Sequence, residues 1–274
     1  MGAHTLQSAE VRWFFDEGDP RVASLKARFG HVKPEGERLD HYLLTGRNDL
    51  GIKFRGEEGE PVRFEVKYLT GTLGVVPFGS SVAGKLERWS KLALDEVPVG
   101  QPERASWFAV SKDRRRRRFA LDGASAREVR GGDRAEAVCA VELSALSFTR
   151  GGLPAKAFTL GFEAIGAASL GMRALEAATK AFVQERPGLS LSPVASASYP
   201  EWLLRVGSPR WTHQLVSHEP YYCEGPAQSR PPEGTLPAGT KCTIAQSAGS
   251  YARVIAETGV TAYVAVGALV ELGR

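Results

Sequence analysis

Charged side chains alternate with apolar ones along several segments that have the composition of β-strands. Residues two apart in a strand share a face, so Lys53 and Arg55 share one, and Arg63, Glu65 and Lys67 share another. Paired cations can hold phosphate oxygens, and carboxylates among them can hold a divalent cation. The pattern is typical of any antiparallel sheet with one solvent-exposed face, and a closed sheet whose charged face lines a lumen is the alternative.

A run of five arginines, in KDRRRRRF at 112–119, has the density of a nucleic-acid-binding segment. Alternation divides the run, and we expect Arg115 and Arg117 to face inward while the other arginines meet solvent. The aromatic residues that would stack bases are absent from the run. The whole chain holds 35 Lys and Arg against 31 Asp and Glu. This balance argues against a nucleic-acid partner.

Other kinds of site have little support in the sequence. The three cysteines have no close spacing, so we expect neither a disulfide framework nor a zinc site. Neither a P-loop nor a Gly-x-Ser-x-Gly elbow occurs. The first residues lack the features of a secretory signal, and no uncharged apolar stretch reaches membrane-spanning length. We expect a cytoplasmic protein without a membrane partner.

The elements that would position the charged residues are mostly strands. Helices are predicted after Asp19-Pro20, over 82–94 and over 168–185, from caps and apolar spacing. Segments of strand composition lie at 8–15, 39–46, 50–56, 63–69, 105–121, 137–148 and 156–166.

The order of the charged pieces resembles that of the CYTH, or triphosphate-tunnel, family. The resemblance covers about residues 8–204, through short pieces whose order matters more than any one of them. In chain order, the pieces are Glu10-x-Arg12, Asp40-His41-Tyr42, Ile52-Lys53-Phe54-Arg55, Glu65-x-Lys67, Glu87-Arg88-Trp89-Ser90-Lys91, Lys112 with the arginine run, Val141-Glu142-Leu143, Phe162-Glu163-Ala164 and Ser198-Tyr199.

The resemblance implies a mainly β (α+β) fold, an eight-stranded antiparallel tunnel-like barrel with a few flanking helices. Members of the CYTH family include metal-dependent triphosphatases, adenylate cyclases and polyphosphate polymerases. A small polyanion such as a triphosphate or a nucleotide is therefore the expected ligand. The implied ligand-binding residues are Arg12, Lys53, Arg55, Arg63, Lys67, Arg115 and Arg117.

The resemblance also implies Mg²⁺ or Mn²⁺ held by Glu10, Glu142 and Glu163, with Glu142 and Glu163 as catalytic residues. The family's first strand usually reads Glu-x-Glu-x-Lys, and Arg12 stands where the second Glu is expected. A guanidinium cannot ligate a cation. We therefore expect binding to dominate over hydrolysis, with at most slow metal-dependent triphosphatase activity.

The C-terminal segment resembles an SH3-like barrel, so we expect a first domain over 1–205 and an SH3-like domain over 210–274. Tyr221, Tyr222 and Tyr251 are its candidate peptide-binding residues. An alternative function stays open. The chain would then be a noncatalytic interaction or scaffold protein, in which a degenerate tunnel domain supports an SH3-like domain that binds a protein partner.

Overall fold

The structure, a computed structural model, describes residues 3–55, 62–97, 107–129, 137–150, 153–166, 168–186, 188–207, 211–226, 231–258 and 260–272. The chain forms two compact units. The first comprises Met1–Phe148 and Lys156–Arg205, and the second comprises Thr149–Ala155 and Val206–Arg274. Both units are built mainly from antiparallel strands.

The first unit contains strands and three helices within the described residues. The strands are β1 (Ala3–Asp16), β2 (Glu37–Leu43), β3 (Leu50–Arg55), β4 (Val62–Pro77), β5 (Ala83–Val97), β6 (Trp107–Asp122), β7 (Ser125–Val129), β8 (Val138–Arg150) and β9 (Leu153–Ile165). The helices are α1 (Arg21–Arg28), α2 (Ala168–Gln184) and α3 (Tyr199–Gly207). The last two residues of α3, and the ends of β8 and β9 that fall within Thr149–Ala155, belong to the second unit.

The nine described strands form one sheet in the order β2-β3-β4-β5-β1-β9-β8-β6-β7. A further pairing of β2 with β6, in which Tyr42 lies opposite Phe108, closes eight of them into a ring. The ninth strand, β7, extends β6 beyond the ring. Closure leaves the strands of the ring with partners on both sides, and it creates an inner and an outer face.

The apolar face of the ring points outward, where α1 and α2 cover part of it. Val11 and Trp13 of β1 are buried in this outer core. Trp13 packs edge-on against Phe162 of β9, with ring centroids 6.1 Å apart, and Phe162 packs against Phe182 of α2 at 5.5 Å. Since α1 and α2 cover the apolar face from the outside, the charged residues that alternate with Val11 and Trp13 point inward.

The helix predicted after Asp19-Pro20 is confirmed as α1. Its apolar residues Val22 and Leu25 are buried in the outer core. Asp19 accepts a hydrogen bond from the backbone N–H of Arg21 at 2.9 Å, although the position before the helix is occupied by Pro20. The helix predicted over 168–185 is confirmed as α2.

The helix predicted over 82–94 is wrong, because this segment forms β5 between β4 and β1. Leu86, Trp89 and Ala93 have helical spacing, but the structure divides them between two faces. Leu86 belongs to the outer core, whereas Trp89 lines the interior. Hydrogen bonding to two neighbouring strands outweighs the helical spacing of the segment.

The second unit contains a five-stranded antiparallel sheet in the order β15-β14-β13-β10-β16, and a two-stranded sheet of β11 and β12. These strands are β10 (His213–Leu215), β11 (Glu219–Tyr221), β12 (Gly234–Leu236), β13 (Lys241–Ala248), β14 (Tyr251–Ala256), β15 (Thr261–Ala265) and β16 (Leu269–Glu271). Leu215, Val254 and Val264 are fully buried in its core. In the described parts of the chain, no helix has both the length and the apolar character needed to cross a bilayer.

Gly84 of β5 supports a tight contact in the outer core, and this contact generates a prediction. A Cβ atom at position 84 would lie 2.5 Å from Cζ2 of Trp13 and 2.6 Å from Cγ2 of Val11. We expect Gly84→Ala to lower the free energy of unfolding by about 1–3 kcal/mol, as overpacked cores do. Urea unfolding measures the change. Gly79→Ala is the matched control, since a Cβ at position 79 would meet nothing within 4 Å. Equal stability of the two variants would contradict the prediction.

Candidate functional site

The interior of the ring holds a cavity of about 400 Å³ whose lining is strongly basic. Among the described residues that line it, ten are Lys or Arg and four are Glu. The cations are Arg12, Arg38, Lys53, Arg55, Arg63, Lys67, Lys91, Lys112, Arg114 and Arg116, and the carboxylates are Glu10, Glu65, Glu142 and Glu163. Such an excess of positive charge around an enclosed space attracts anions.

Asp40 of β2 is the most buried carboxylate beside this cavity, with 0 % of its side chain exposed. Nε of Arg55 lies 2.9 Å from its Oδ1, and Nζ of Lys112 and Nη2 of Arg38 lie 3.0 and 3.1 Å from its Oδ2. Burial raises the pKa of Asp40, but attraction to Lys53 and Lys112 outweighs burial, and the pKa falls far below its usual value. Asp40 therefore stays ionised and anchors the cations around it.

Lys53 and Lys112 are the two lysines whose protonation is most affected. Nζ of Lys53 lies 2.7 Å from Glu65 and 3.7 Å from Asp40. Even so, burial lowers the pKa of each lysine from 10.5 to about 8, against the attraction of Asp40. Both side chains thus lie close to the point at which they lose their charge.

Three carboxyl groups form a row across β5, β1 and β9, because Glu10 lies opposite both Glu87 and Glu163 in the strand register. Glu10 accepts hydrogen bonds from Lys67 and from Ser8. Burial raises its pKa, but Lys67 outweighs burial and holds the pKa at about 2. Burial, followed by repulsion from Glu10, raises the pKa of Glu163. The pKa values of Glu10 and Glu163 are therefore shifted in opposite directions.

Arg12 lies flat against the backbone of β9. A Cβ atom at position 161 would lie 2.5 Å from its Cζ, so the guanidinium occupies space that only glycine leaves open. Its Nη1 donates to Oγ1 of Thr159 at 3.3 Å and lies 3.7 Å from Oε1 of Glu142. Its other face meets the ring of Tyr199, with Cζ 4.8 Å from the centroid. Four contacts therefore fix the guanidinium in place.

Glu142 of β8 is enclosed by donors. Its Oε1 accepts from Oγ of Ser144 at 2.9 Å, and its Oε2 accepts from Nη1 of Arg114 at 3.3 Å. Burial raises its pKa, but Arg12 and Lys112 outweigh burial and lower the pKa to about 2. The carboxylate is thus committed to the surrounding cations.

Tyr199 of α3 lines the cavity, and it packs edge-on against Trp202 of the same helix, which belongs to an aromatic cluster. Trp202 stacks on Phe14 at 4.8 Å and meets Phe148 edge-on at 5.1 Å. These two phenylalanines are the third residues from the ends of β1 and β8. Tyr199 packs on Phe14, and Nζ of Lys112 lies 3.9 Å from the centroid of its ring.

The structure brings most of the predicted site residues together. Those that line the cavity are Glu10, Arg12, Lys53, Arg55, Arg63, Lys67, Glu142 and Glu163. Sequence reasoning left Arg38, Asp40 and Lys91 out of the site. The sequence offered two signals for these residues. They alternate with apolar residues, and Asp40 and Lys91 also stand in pieces of the resemblance.

The placement of Arg115 and Arg117 inside the ring is wrong. Arg114 and Arg116 line the cavity instead, and Arg117 lies on the outer face, where it pairs with Glu128 and Glu185 at 2.6 and 2.5 Å. Arg115 and Arg117 share a face with Phe119, which belongs to the outer core. The apolar face of this ring is the outer one, so two residues that share a face with Phe119 lie on the outside.

The three tyrosines of the second unit are only partly brought together. The rings of Tyr222 and Tyr251 meet edge-on at 6.2 Å. Tyr222 is buried, and it exchanges backbone hydrogen bonds with Tyr263. Tyr221 packs against Gly234 instead. A peptide-binding role for the three residues stays a prediction.

The donor set does not fit a divalent metal. In the part of the chain that the structure describes, no three His, Cys, Asp or Glu side chains form a group that could hold an ion. Glu10 and Glu142 are instead paired with Lys67 and Arg114. The cavity can hold an anion with the groups it has, and Mg²⁺ or Mn²⁺ stays an implication of the resemblance.

The chain matches no protein-family model, and a search of curated proteins finds no significant match. The arguments about function therefore rest on the geometry of the cavity and on the order of the charged pieces.

The lowered pKa values of Lys53 and Lys112 predict that stability rises with pH. In the unfolded chain both lysines titrate near 10.5, and in the folded protein near 8. Between these values the unfolded chain binds more protons, so a rise in pH favours the folded state. We expect the urea midpoint of unfolding to rise between pH 7.5 and about pH 9. Tryptophan fluorescence measures it, as four of the five tryptophans lie in the first unit.

Variants isolate the contribution of the two lysines to this pH dependence. Arginine keeps its proton throughout this range, so the double variant Lys53→Arg, Lys112→Arg should lack the rise. Cys139 has the opposite effect on stability, because burial raises the pKa of its thiol. This effect is the same in both proteins, so it cancels when their pH profiles are subtracted. Lys156→Arg, at an exposed position, is the control. Identical pH profiles for the natural protein and the double variant would contradict the prediction.

Proposed function

We propose that the first unit binds a triphosphate- or polyphosphate-type anion inside an eight-stranded tunnel of the kind found in the CYTH family. One observation carries the proposal: ten Lys and Arg face a cavity of about 400 Å³ together with only four Glu. Asp40 adds one further buried carboxylate beside them. An anion that enters the cavity would neutralise the cations that these carboxylates leave uncompensated.

The distribution of the cations favours an extended polyanion over a single small ion. The lining cations come from β1 to β6, six of the eight strands of the ring. The arginines provide planar guanidinium groups that match phosphate oxygens, and the lysines provide compact charges. A chain of linked phosphates presents charge at regular intervals and can contact several strands at once.

Binding without efficient turnover is the activity that the contacts of the carboxylates support. Arg12 occupies the position where a second metal-binding Glu is expected from the resemblance, and Gly161 makes the room for it. Glu10 and Glu142, two of the three implied metal ligands, are ionised but paired with cations. A metal would have to compete with these cations for each carboxylate.

A thermal-shift experiment tests the binding proposal. Tripolyphosphate that binds only the folded state raises Tm by mass action. We expect the natural protein to show this shift and the double variant Lys53→Ala, Arg55→Ala to lose it, because both cations face the cavity. Circular dichroism checks that the variant is folded.

A charge-matched control keeps the interpretation specific to the cavity. Arg47→Ala combined with Lys156→Ala removes the same net charge from side chains that are 62 % and 61 % exposed. This variant should keep the shift. If tripolyphosphate and nucleotides left the natural protein's Tm unchanged, polyanion binding would be excluded, and the noncatalytic interaction function would become the leading hypothesis.

Turnover is tested separately by phosphate release from tripolyphosphate with Mg²⁺ or Mn²⁺. We expect the natural protein to release phosphate slowly or not at all, since its carboxylates are paired with cations. Arg12→Glu should increase release if the position can supply a metal ligand. Rapid metal-dependent release by the natural protein, abolished in Glu163→Gln, would establish a triphosphatase and contradict our expectation.

A further inference from the structure

Glu35 lies on the segment between α1 and β2, and its carboxylate contacts two arginines of the cavity lining. Nη2 of Arg114 lies 2.7 Å from Oε2 of Glu35, and Nη2 of Arg116 lies 2.8 Å from the same oxygen. One carboxylate oxygen thus lies between two guanidinium groups that face the cavity. The protein therefore places a negative group of its own on cations that an anionic ligand would use.

The backbone around Glu35 holds this residue beside β6. Its N–H donates to the carbonyl oxygen of Arg114 at 2.8 Å, so the chain already runs along β6 before β2 begins. Gly36 follows with a φ of 90°, a conformation that other residues rarely adopt. The main chain thus anchors residue 35 independently of the contacts that its side chain makes.

The side chain of Glu35 can be displaced without moving this backbone. It is 35 % exposed, and the side chain of Arg116 is 37 % exposed, so solvent reaches both groups. Ion pairs with this much exposure contribute little to stability, because water solvates the separated charges well. Rotation of the Glu35 side chain moves its carboxylate into water and leaves Arg116 open to another anion.

A phosphoryl group suits the two arginines better than the carboxylate does. It offers more acceptor oxygens and, at a chain end, about two negative charges. Guanidinium groups match the geometry of phosphate oxygens, so each arginine can take an oxygen of its own instead of sharing one. Arg114 also donates to Glu142 at 3.3 Å, and this contact keeps it in the lining when Glu35 is displaced.

We propose that Arg114 and Arg116 form a phosphoryl subsite that the free protein fills with its own Glu35, so that Glu35 competes with the bound anion. This competition rests on the proposed function and adds to it two residues that meet the anion and the group that the anion displaces. Because Glu35 belongs to the same chain, it competes at a fixed effective concentration. A single phosphate ion is therefore excluded more easily than a polyanion that also contacts the other lining cations.

Substitutions of Glu35 test the competition by calorimetry with tripolyphosphate. Glu35→Gln removes the charge, and we expect about threefold to tenfold tighter binding, as for the loss of two partly exposed ion pairs. Glu35→Asp keeps the charge but shortens the side chain, so it should also bind more tightly than the natural protein, by a smaller factor. Arg116→Ala should weaken binding. Glu17→Gln, at an ion-paired glutamate that is 62 % exposed, is the control and should leave the affinity unchanged.

The outcomes separate the competition from the proposed function. Equal affinity of the natural protein and both Glu35 variants would overturn the competition and leave the proposed function intact. Weaker binding by Glu35→Gln would also overturn it, because Glu35 would then position the arginines for the ligand. Tighter binding by Glu35→Gln alone would assign the effect to long-range charge and likewise overturn the competition.

A natural protein that does not bind tripolyphosphate gives two further outcomes. If Glu35→Gln binds tripolyphosphate where the natural protein does not, the proposed function fails for the natural protein and the competition is supported. If neither protein binds tripolyphosphate, the proposed function and the competition are both overturned.

Discussion

The pairing of buried charges inside the ring is the interaction on which the rest of this structure depends. Cations that face one another in a partly enclosed space repel, and each also loses hydration. Asp40 reduces both costs, because it accepts from side chains of β2, β3 and β6 together and so links strands that are distant in sequence. Glu65 and Glu142 do the same at neighbouring positions. This network of ion pairs holds the residues that line the cavity in place, yet the lining keeps a net positive charge.

The network of ion pairs inside the ring has an apolar counterpart on the outside. Because the charged residues turn inward, the alternate apolar residues must find partners outside, and α1 and α2 provide them. The inner and outer faces therefore require different kinds of complementarity. Shape and apolar contact determine the outer face, whereas charge balance determines the inner one. A closed ring of eight strands is wide enough to hold a small ligand, and this ring contains a cavity of about 400 Å³.

The sequence predicted the elements whose signals are local. The start of α1 follows from Asp19-Pro20. For β3 and β4, alternation shows which charged residues share a face, and the resemblance supplied the inward direction. The sequence failed where the deciding contact is distant. The segment that became β5 has an apolar spacing compatible with a helix, and only its two neighbouring strands decide otherwise. Asp40 meets Lys112 because β2 pairs with β6, and Tyr199 of α3 meets Lys112. Arg115 and Arg117 were misplaced because alternation alone does not show which face is outside.

The close packing of Arg12 against Gly161 limits how this cavity could have changed during evolution. The guanidinium fits only because residue 161 has no side chain, and Thr159 and Glu142 complete its contacts. These four positions should therefore covary among homologous sequences. Arginine at position 12 requires glycine at 161, so in any lineage that acquired this arginine the glycine would have to be present first or arise with it. The order of substitutions along such a lineage is thus constrained by the space beside one backbone position.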